Sequence, residues 1–443
     1  MTGPLDWTLA TVAAATRGVV DGDPSMRVSA VSTDSRSITT GSLFVAIKGE
    51  YHDGHDFAAT AMTAGAVAGV VGRGSGIDIH PRVEVDDTGD ALIDLAAHRR
   101  GELLVKVAAI TGSTGKTSTK NLLGSAIPGS WASPRSFNNE VGVPLTVLSA
   151  PADVSSLVIE VGSRGSGHIR RLAPATMPDV AVITNLGLVH LETFGTRDAL
   201  ADGKFELIEA LGEGGVAVLP DDEPRLARPH PGPTITFGFG WEADVRVSDV
   251  LVDERGRPRF FLHANDTSVP VELAMSGAHN ALNAAAAAAA ALVLGHRLED
   301  IASGLAAATG SPWRMEVHEG RLTVVNDAYN ANPQSMLAAM ETVAAMPGNR
   351  VAVFGEMAEL GPVAEEEHVR IGRAAKEMGF EVITVGPDHG LAEAAGGRNV
   401  NDQMEAMRIV IDEAEDGSVV LVKASRSVGL ERLAAQLIAE VSG

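Results

Sequence analysis

Residues 109–119 read AITGSTGKTST, a run of small apolar residues leading into a glycine turn, a lysine and several hydroxyls. A glycine turn between a strand and a helix exposes backbone N–H groups, and these attract phosphate oxygens together with the helix N-terminus. Gly112, Ser113, Thr114, Gly115, Lys116, Thr117 and Ser118 form this candidate loop. Lys116 would add a point charge for the β- and γ-phosphates, and Thr117 a hydroxyl for Mg²⁺. The loop is shorter than the usual P-loop, because Ile110 stands where the first glycine belongs. A tight turn with an incidental lysine is the plainer alternative. The apolar stretch before the loop and the helix-compatible STKNLLGSAI after it favour phosphate.

A magnesium ion needs hard oxygen ligands beyond phosphate. Glu160 ends the apolar run SLVIE, and His190 follows the run DVAVITN by a short loop. Ligands gather at the carboxyl ends of strands in an open parallel sheet, so both residues are expected beside the loop. Lys204 lies in RDALADGKFELIEAL, which has helical spacing; by itself it reads as a solvated helix lysine. Lysine is scarce in this chain, with seven (Lys48, Lys106, Lys116, Lys120, Lys204, Lys376, Lys423) among 35 basic residues. Where arginine fills most basic positions, a retained lysine draws interest for its amine.

The elements that hold these residues follow from pattern. A chain of 443 residues exceeds one ordinary core, and two or three domains are expected. Up to about residue 86, short β-rich runs alternate with turn signals. ALIDLAAHRRGELL (91–104) has helical spacing and suits a connector. From VKVAAIT onward, apolar strands alternate with helical stretches (SLVIEVG, DVAVITN, GGVAVLP), the pattern of a parallel α/β sheet. After GSPWRME the pattern restarts with LTVVNDAYN, RVAVFGE, FEVITVG and SVVLVKAS, giving a third α/β unit. The expected divisions are 1–86, 87–310 and 311–443. The alanine-rich tract 281–295 reads as a packed helix.

Composition excludes several classes. A formal net charge of −22 argues against nucleic-acid binding, which needs a basic surface. No apolar run approaches the roughly 18–20 residues that span a bilayer. The N-terminus lacks a basic segment leading an apolar one, so no signal peptide is expected. There are no cysteines, hence no disulfides or thiolate chemistry. A cytoplasmic protein without membrane insertion, and a monomer, is the expectation.

Several stretches together resemble the Mur ligase family. GSTGKTST is similar to its short ATP loop, which lacks the first glycine. STDSRSITTGSLFVAIKGEYHDGHDF (32–57), SFNNEVGVPLTVL (136–148), VITNLGLVHLETFGT (182–196), NDAYNANPQSM (326–336), GEMAELG (355–361) and VKASRSVGLERL (422–433) follow in the family's order over the whole chain. NNEVGVPL and YNANP point to the branch that adds D-alanyl-D-alanine to UDP-N-acetylmuramoyl-tripeptide in peptidoglycan synthesis.

The resemblance implies three α/β domains: one for the UDP-substrate, a central P-loop parallel-sheet ATPase, and a Rossmann-like C-terminal domain. It implies ATP and Mg²⁺, and amide formation through an acyl phosphate, with UDP-N-acetylmuramoyl-tripeptide and D-alanyl-D-alanine as small-molecule partners. Carried over by motif, Lys116 and Thr117 meet phosphate and Mg²⁺; Thr117, Glu160, His190 and Lys204 form the metal set. Lys204 takes the place of a lysine carbamylated in related ligases, and Lys116, Lys204 and His190 are the expected catalytic groups. His279, Asn280 and Asn283 fall near adenine; Arg314, Asp327, Tyr329 and Asn330 fall where the C-terminal domain meets nucleotide. Ser32, Asp34, Ser35 and Arg36 resemble the uridine-diphosphate loop. Asn138, Asn139 and Glu140 belong to a substrate-facing and metal-facing loop; Lys423, Ser425 and Arg426 lie near the incoming dipeptide. Departures are Glu356 and Asn326 at positions where Asp is frequent, His168 where Glu is usual, and Gly203 and Phe205 around the lysine. An amide ligase of secondary metabolism with another acid and amine would share this ATP site. A P-loop kinase or nucleotide-dependent binding protein is the competing class, disfavoured by the TDSR and NNEVGVPL blocks.

Overall fold

A computed structural model describes residues 5–49, 51–187 and 191–441. Three main sheets succeed one another along the chain. The first has five strands in the order Val19–Asp21, Arg82–Val85, Ala68–Gly72, Ser42–Val45, Ala30–Ser32. Its inner strand Ser42–Val45 is buried at every position, as expected of a parallel strand covered on both faces. The helix Thr88–Glu102 follows, capped by the Asp87 carboxylate on the Asp90 amide. It packs against helices of the first and the central unit, so their apolar core is continuous.

The central sheet has nine strands. Val180–Ile183 and Ser156–Glu160 flank Lys106–Thr111 in parallel register, with Glu160 beside Ile110 and Ile183 beside Thr111. This register brings three strand ends to one edge. Val216–Pro220, Thr234–Gly238 and Trp131–Ala132 extend the parallel part. An outer arm of Val245–Val252, Pro258–Ala264 and Thr267–Glu272 turns antiparallel. The parallel reading of this unit therefore holds for its inner strands, and the arm is an addition. Arm strands alternate buried and open residues, having only one covered face.

The alanine tract forms the helix Asn280–Val293, and Ala284 through Ala291 are all fully buried. Side chains this small let the helix pack closely against both the sheet and the neighbouring phosphate-loop helix Lys116–Ala126. The third sheet has six strands in the order Glu316–His318, Thr323–Asn326, Val419–Lys423, Arg350–Gly355, Phe380–Val385, Arg398–Val400, parallel except for the first pair. It docks on the central unit through Asn121 to Ser311 (2.8 Å) and through the Arg255–Glu319 ion pair. No helix among the described residues is long and apolar enough to cross a membrane.

Candidate active site

The phosphate loop joins the strand Lys106–Thr111 to the helix Lys116–Ala126. Gly115 caps that helix at φ +77°, and a Cβ there would lie 2.2 Å from Asn283 Oδ1. Gly112 has φ +147°, and its Cβ would lie 1.9 Å from Thr184 Oγ1. Only glycine fits either place. The loop is braced from the neighbouring strand end: Thr114 N–H donates to Asn185 Oδ1 (3.0 Å), Asn185 Nδ2 donates to Thr114 Oγ1 (2.8 Å), and Ser113 Oγ donates to the Gly187 carbonyl (3.1 Å). Ser118 occupies the first helical turn.

Lys116 folds over the loop and donates to the carbonyls of Gly112 (2.7 Å) and Ser113 (3.1 Å). Burial lowers its pKa; the Glu160 carboxylate opposes that shift and Arg314 reinforces it. Thr117 Oγ1 donates to Glu160 Oε2 at 2.8 Å, and the Arg314 guanidinium donates to the same hydroxyl at 3.2 Å. Glu160 is 1% exposed, and its other oxygen accepts from Asn138 Nδ2 (2.7 Å). One buried carboxylate thus stands among Lys116, Lys120 and Arg314, a concentration of positive charge suited to a polyphosphate. The Thr117 hydroxyl and Glu160 carboxylate are hard oxygen donors side by side, a pair that fits Mg²⁺.

Lys204 lies in the helix Arg197–Glu209 and is 1% exposed, so the solvated-lysine reading fails. Burial drives its pKa well below the usual lysine range, the Lys116 charge adds to that, and Glu206 opposes it. An amine in this setting is neutral far more readily than a surface lysine. His190 lies outside the described residues.

The C-terminal unit meets the loop through the segment Ser311–Met315. Trp313 and Met315 take left-handed backbone (φ +61° and +51°), pinned by Trp313 N–H to Glu316 and by Met315 N–H to Asp327 Oδ1. Between them Arg314 stacks on Tyr329, 3.9 Å from the ring centre, and reaches Thr117. Its Nε is buried without a partner among the described residues, as is His279 Nδ1. Burial lowers the His279 pKa; Asp327 opposes the shift and Lys423 reinforces it, so His279 of the central unit faces the C-terminal one. Asn280 and Asn283 are held inward, Asn283 Nδ2 donating to Asn280 Oδ1 (2.9 Å) and Asn280 Nδ2 to the Ser276 carbonyl (2.8 Å).

Other expected residues are engaged with the protein itself. Lys423 is buried and donates to Asp327 Oδ2 (2.6 Å) and the Asn330 carbonyl (2.9 Å). Ser425 Oγ accepts from the Ala358 amide (2.8 Å). Arg426 stacks on Trp313 and pairs with Glu431. Asn139 Oδ1 accepts from the Gly142 amide at the start of the helix Gly142–Leu148 (2.8 Å), and Glu140 pairs with His168 (3.4 Å). In the first unit, Asp34 caps the turn Ser35–Ser37 and Ser32 Oγ donates to the Asp34 carbonyl. Exposed Arg36 donates to both oxygens of Asp34, which holds that carboxyl at about 2. Thr184, Asn185, Ser136 and Lys120 are part of the site and were not anticipated. Asn185 had a signal, because it follows a strand end as Glu160 does.

Residues 110–291 match the Mur ligase middle domain, 313–426 the Mur ligase glutamate ligase domain, and 27–100 the Mur ligase family catalytic domain. The chain is 37% identical over 421 residues to the UDP-N-acetylmuramoyl-tripeptide–D-alanyl-D-alanine ligase of Escherichia coli, covering 91% of this chain and 92% of that protein. It superimposes on MurF from Acinetobacter baumannii with a TM-score of 0.89 at 32% identity, covering 98% of this chain and 100% of the other. MurF ligase from Thermotoga maritima in complex with ADP aligns with a TM-score of 0.83 at 30% identity, covering 93% and 97%. With all three units matched in order and a relative of this identity aligned nearly end to end, the chain belongs to the Mur ligase family.

Proposed function

We propose that this protein is an ATP-dependent ligase that joins D-alanyl-D-alanine to UDP-N-acetylmuramoyl-tripeptide, releasing ADP and phosphate, in peptidoglycan precursor synthesis. The observation that carries the reading is Arg314. It comes from the C-terminal unit, touches Thr117 of the phosphate loop, and has a buried Nε with no partner among the described residues. A nucleotide between the two units would satisfy both that atom and His279 Nδ1. The names of the near-full-length relatives support the substrates.

The chemistry follows from what a carboxylate lacks. It is a poor electrophile, so the tripeptide carboxylate first attacks the γ-phosphorus and ADP leaves. The amine of D-alanyl-D-alanine then attacks the acyl carbon, and the tetrahedral intermediate expels phosphate. Lys116 and Arg314 meet the charge that gathers on the transferring group, and loop amides orient it. Thr117 and Glu160, joined by His190 and Lys204, would hold Mg²⁺, which supplies neutralisation of phosphate charge when bound. Lys204 acts as a carbamate: its amine is buried and inclined to neutrality, the form that adds CO₂.

The working divisions are 1–86 for the UDP-substrate, 87–310 for ATP and ligation, and 311–443 as the unit that closes on nucleotide. One chain carries the whole set, so a monomer suffices. A reaction on ATP and a UDP-linked precursor belongs in the cytoplasm. The test is isotopic. Tripeptide substrate labelled with ¹⁸O in its terminal carboxylate should deliver one ¹⁸O to each phosphate released; unlabelled phosphate would refute the acyl-phosphate route.

A further inference from the structure

Lys120 contributes charge beside Glu160, and its hydrogen bonds point to a further role. It lies one helical turn beyond Lys116 and is only 3% exposed. Its Nζ donates to the carbonyls of Ser133 (2.8 Å) and Arg135 (2.7 Å). Burial lowers its pKa, while Glu160 opposes that shift and Arg314 reinforces it. An interior ammonium is costly, and an apolar side chain of the same length would fill the space at less cost. The charge must therefore do something that packing would not.

The two carbonyls belong to the turn between the edge strand Trp131–Ala132 and the helix Gly142–Leu148. Arg135 in that turn has φ +48°, a conformation unfavourable to a side chain with a Cβ. The other side of the turn faces Thr117 and Glu160. Ser136 Oγ lies 3.2 Å from Thr117 Oγ1, and Asn138 Nδ2 donates to Glu160 Oε1 at 2.7 Å. Ser133 Oγ accepts the Glu160 amide (3.0 Å), and the Asn138 carbonyl accepts the Gly162 amide (2.7 Å). Every group that orients Thr117 and Glu160 from this side is thus carried on the segment that Lys120 ties down.

We infer that Lys120 is a positioning residue: by bridging two carbonyls it holds the 133–138 turn in its strained shape, so that Ser136 and Asn138 fix the Thr117 hydroxyl and the Glu160 carboxylate. Its consequence for turnover rests on the proposed ligase function; its effect on the turn does not.

The test is hydrogen–deuterium exchange on the full-length protein without nucleotide, comparing wild type with Lys120→Met. Loss of two charge-assisted hydrogen bonds should speed exchange across 133–138 and at Gly162 by about 10- to 100-fold, with the helix 116–126 still protected. Lys120→Gln, which retains a donor, should fall between them, and it replaces the methionine variant if that one fails to fold. Adding Arg135→Gly to Lys120→Met should recover part of the protection, because glycine enters this conformation without strain. In ligase assays kcat should drop, while KM for the UDP-substrate stays near wild type. Unchanged exchange in 133–138, or equal loosening of the helix, would overturn the positioning role. If wild type proves inactive as a ligase but the exchange result holds, the functional reading fails and the role of Lys120 stands.

Discussion

The Thr117 hydroxyl donates to the Glu160 carboxylate across 2.8 Å, joining the first turn of the phosphate-loop helix to the end of the adjacent strand. Two hard oxygens from segments 43 residues apart thereby act as one unit. Glu160→Gln keeps the shape and removes the charge. Turnover should fall by about 10²-fold or more, the order seen when a single electrostatic contact is removed from a transition state. Steady-state rates at saturating ATP measure it; near-normal turnover would mean that the carboxylate does not serve the metal.

Lys116 bridges the two loop carbonyls that precede it, so it is already folded toward the place a phosphate would take. Lys116→Ala should lower kcat by roughly 10²–10³ with the fold intact. Circular dichroism and turnover on the same preparation separate a lost charge from a lost fold.

Lys204 yields two linked expectations. Its folded-state pKa is pushed down by burial, so the unfolded chain binds more protons between that value and about 10.4. Stability should accordingly rise with pH across that window in CO₂-free buffer. Lys204→Met should be more stable than wild type at neutral pH and should lose the rise, as thermal melts at several pH values would reveal. In activity, both Lys204→Ala and Lys204→Arg should lose most turnover, since neither forms the carbamate. Acetate should partly restore Lys204→Ala; full activity in Lys204→Arg would show that a positive charge alone was needed.

Arg36 is exposed and, among the described residues, pairs with its neighbour Asp34, whose carboxyl is held at about 2. That depressed pKa means the pair persists above the unfolded value of about 3.9 and is lost only as pH falls through about 2. Arg36→Ala should raise KM for the UDP-substrate and leave KM for ATP nearly unchanged. A selective ATP defect would contradict the assignment of the first unit.

Much of the site was legible where chemistry and register coincide. The strand–glycine–lysine order defined the loop, and the strand end SLVIE put Glu160 beside it, because parallel register leaves strand ends on one edge. Burial was not legible. Helical spacing placed Lys204 on a helix but could not say which face, and the structure buries it. Lys120 was visible as one of few lysines, yet its partners are backbone carbonyls of a distant turn, which carry no sequence signature. The antiparallel arm 245–272 was missed for a related reason. Its strands are half-open and alternate polar with apolar residues, so they lack the continuous apolar runs that marked the buried parallel strands. Asn139 and Lys423, expected to face substrates, also make hydrogen bonds within the fold, and those tertiary partners carried no sequence signal.

One chain should couple ATP cleavage to a new amide bond. Purified protein should be incubated with ATP, Mg²⁺, UDP-N-acetylmuramoyl-tripeptide and D-alanyl-D-alanine, and the products followed by mass spectrometry. UDP-N-acetylmuramoyl-pentapeptide should form one-to-one with ADP and phosphate, and no ADP should appear when the tripeptide substrate is withheld. ADP released without the pentapeptide, or no turnover with this pair of substrates, would contradict this coupling.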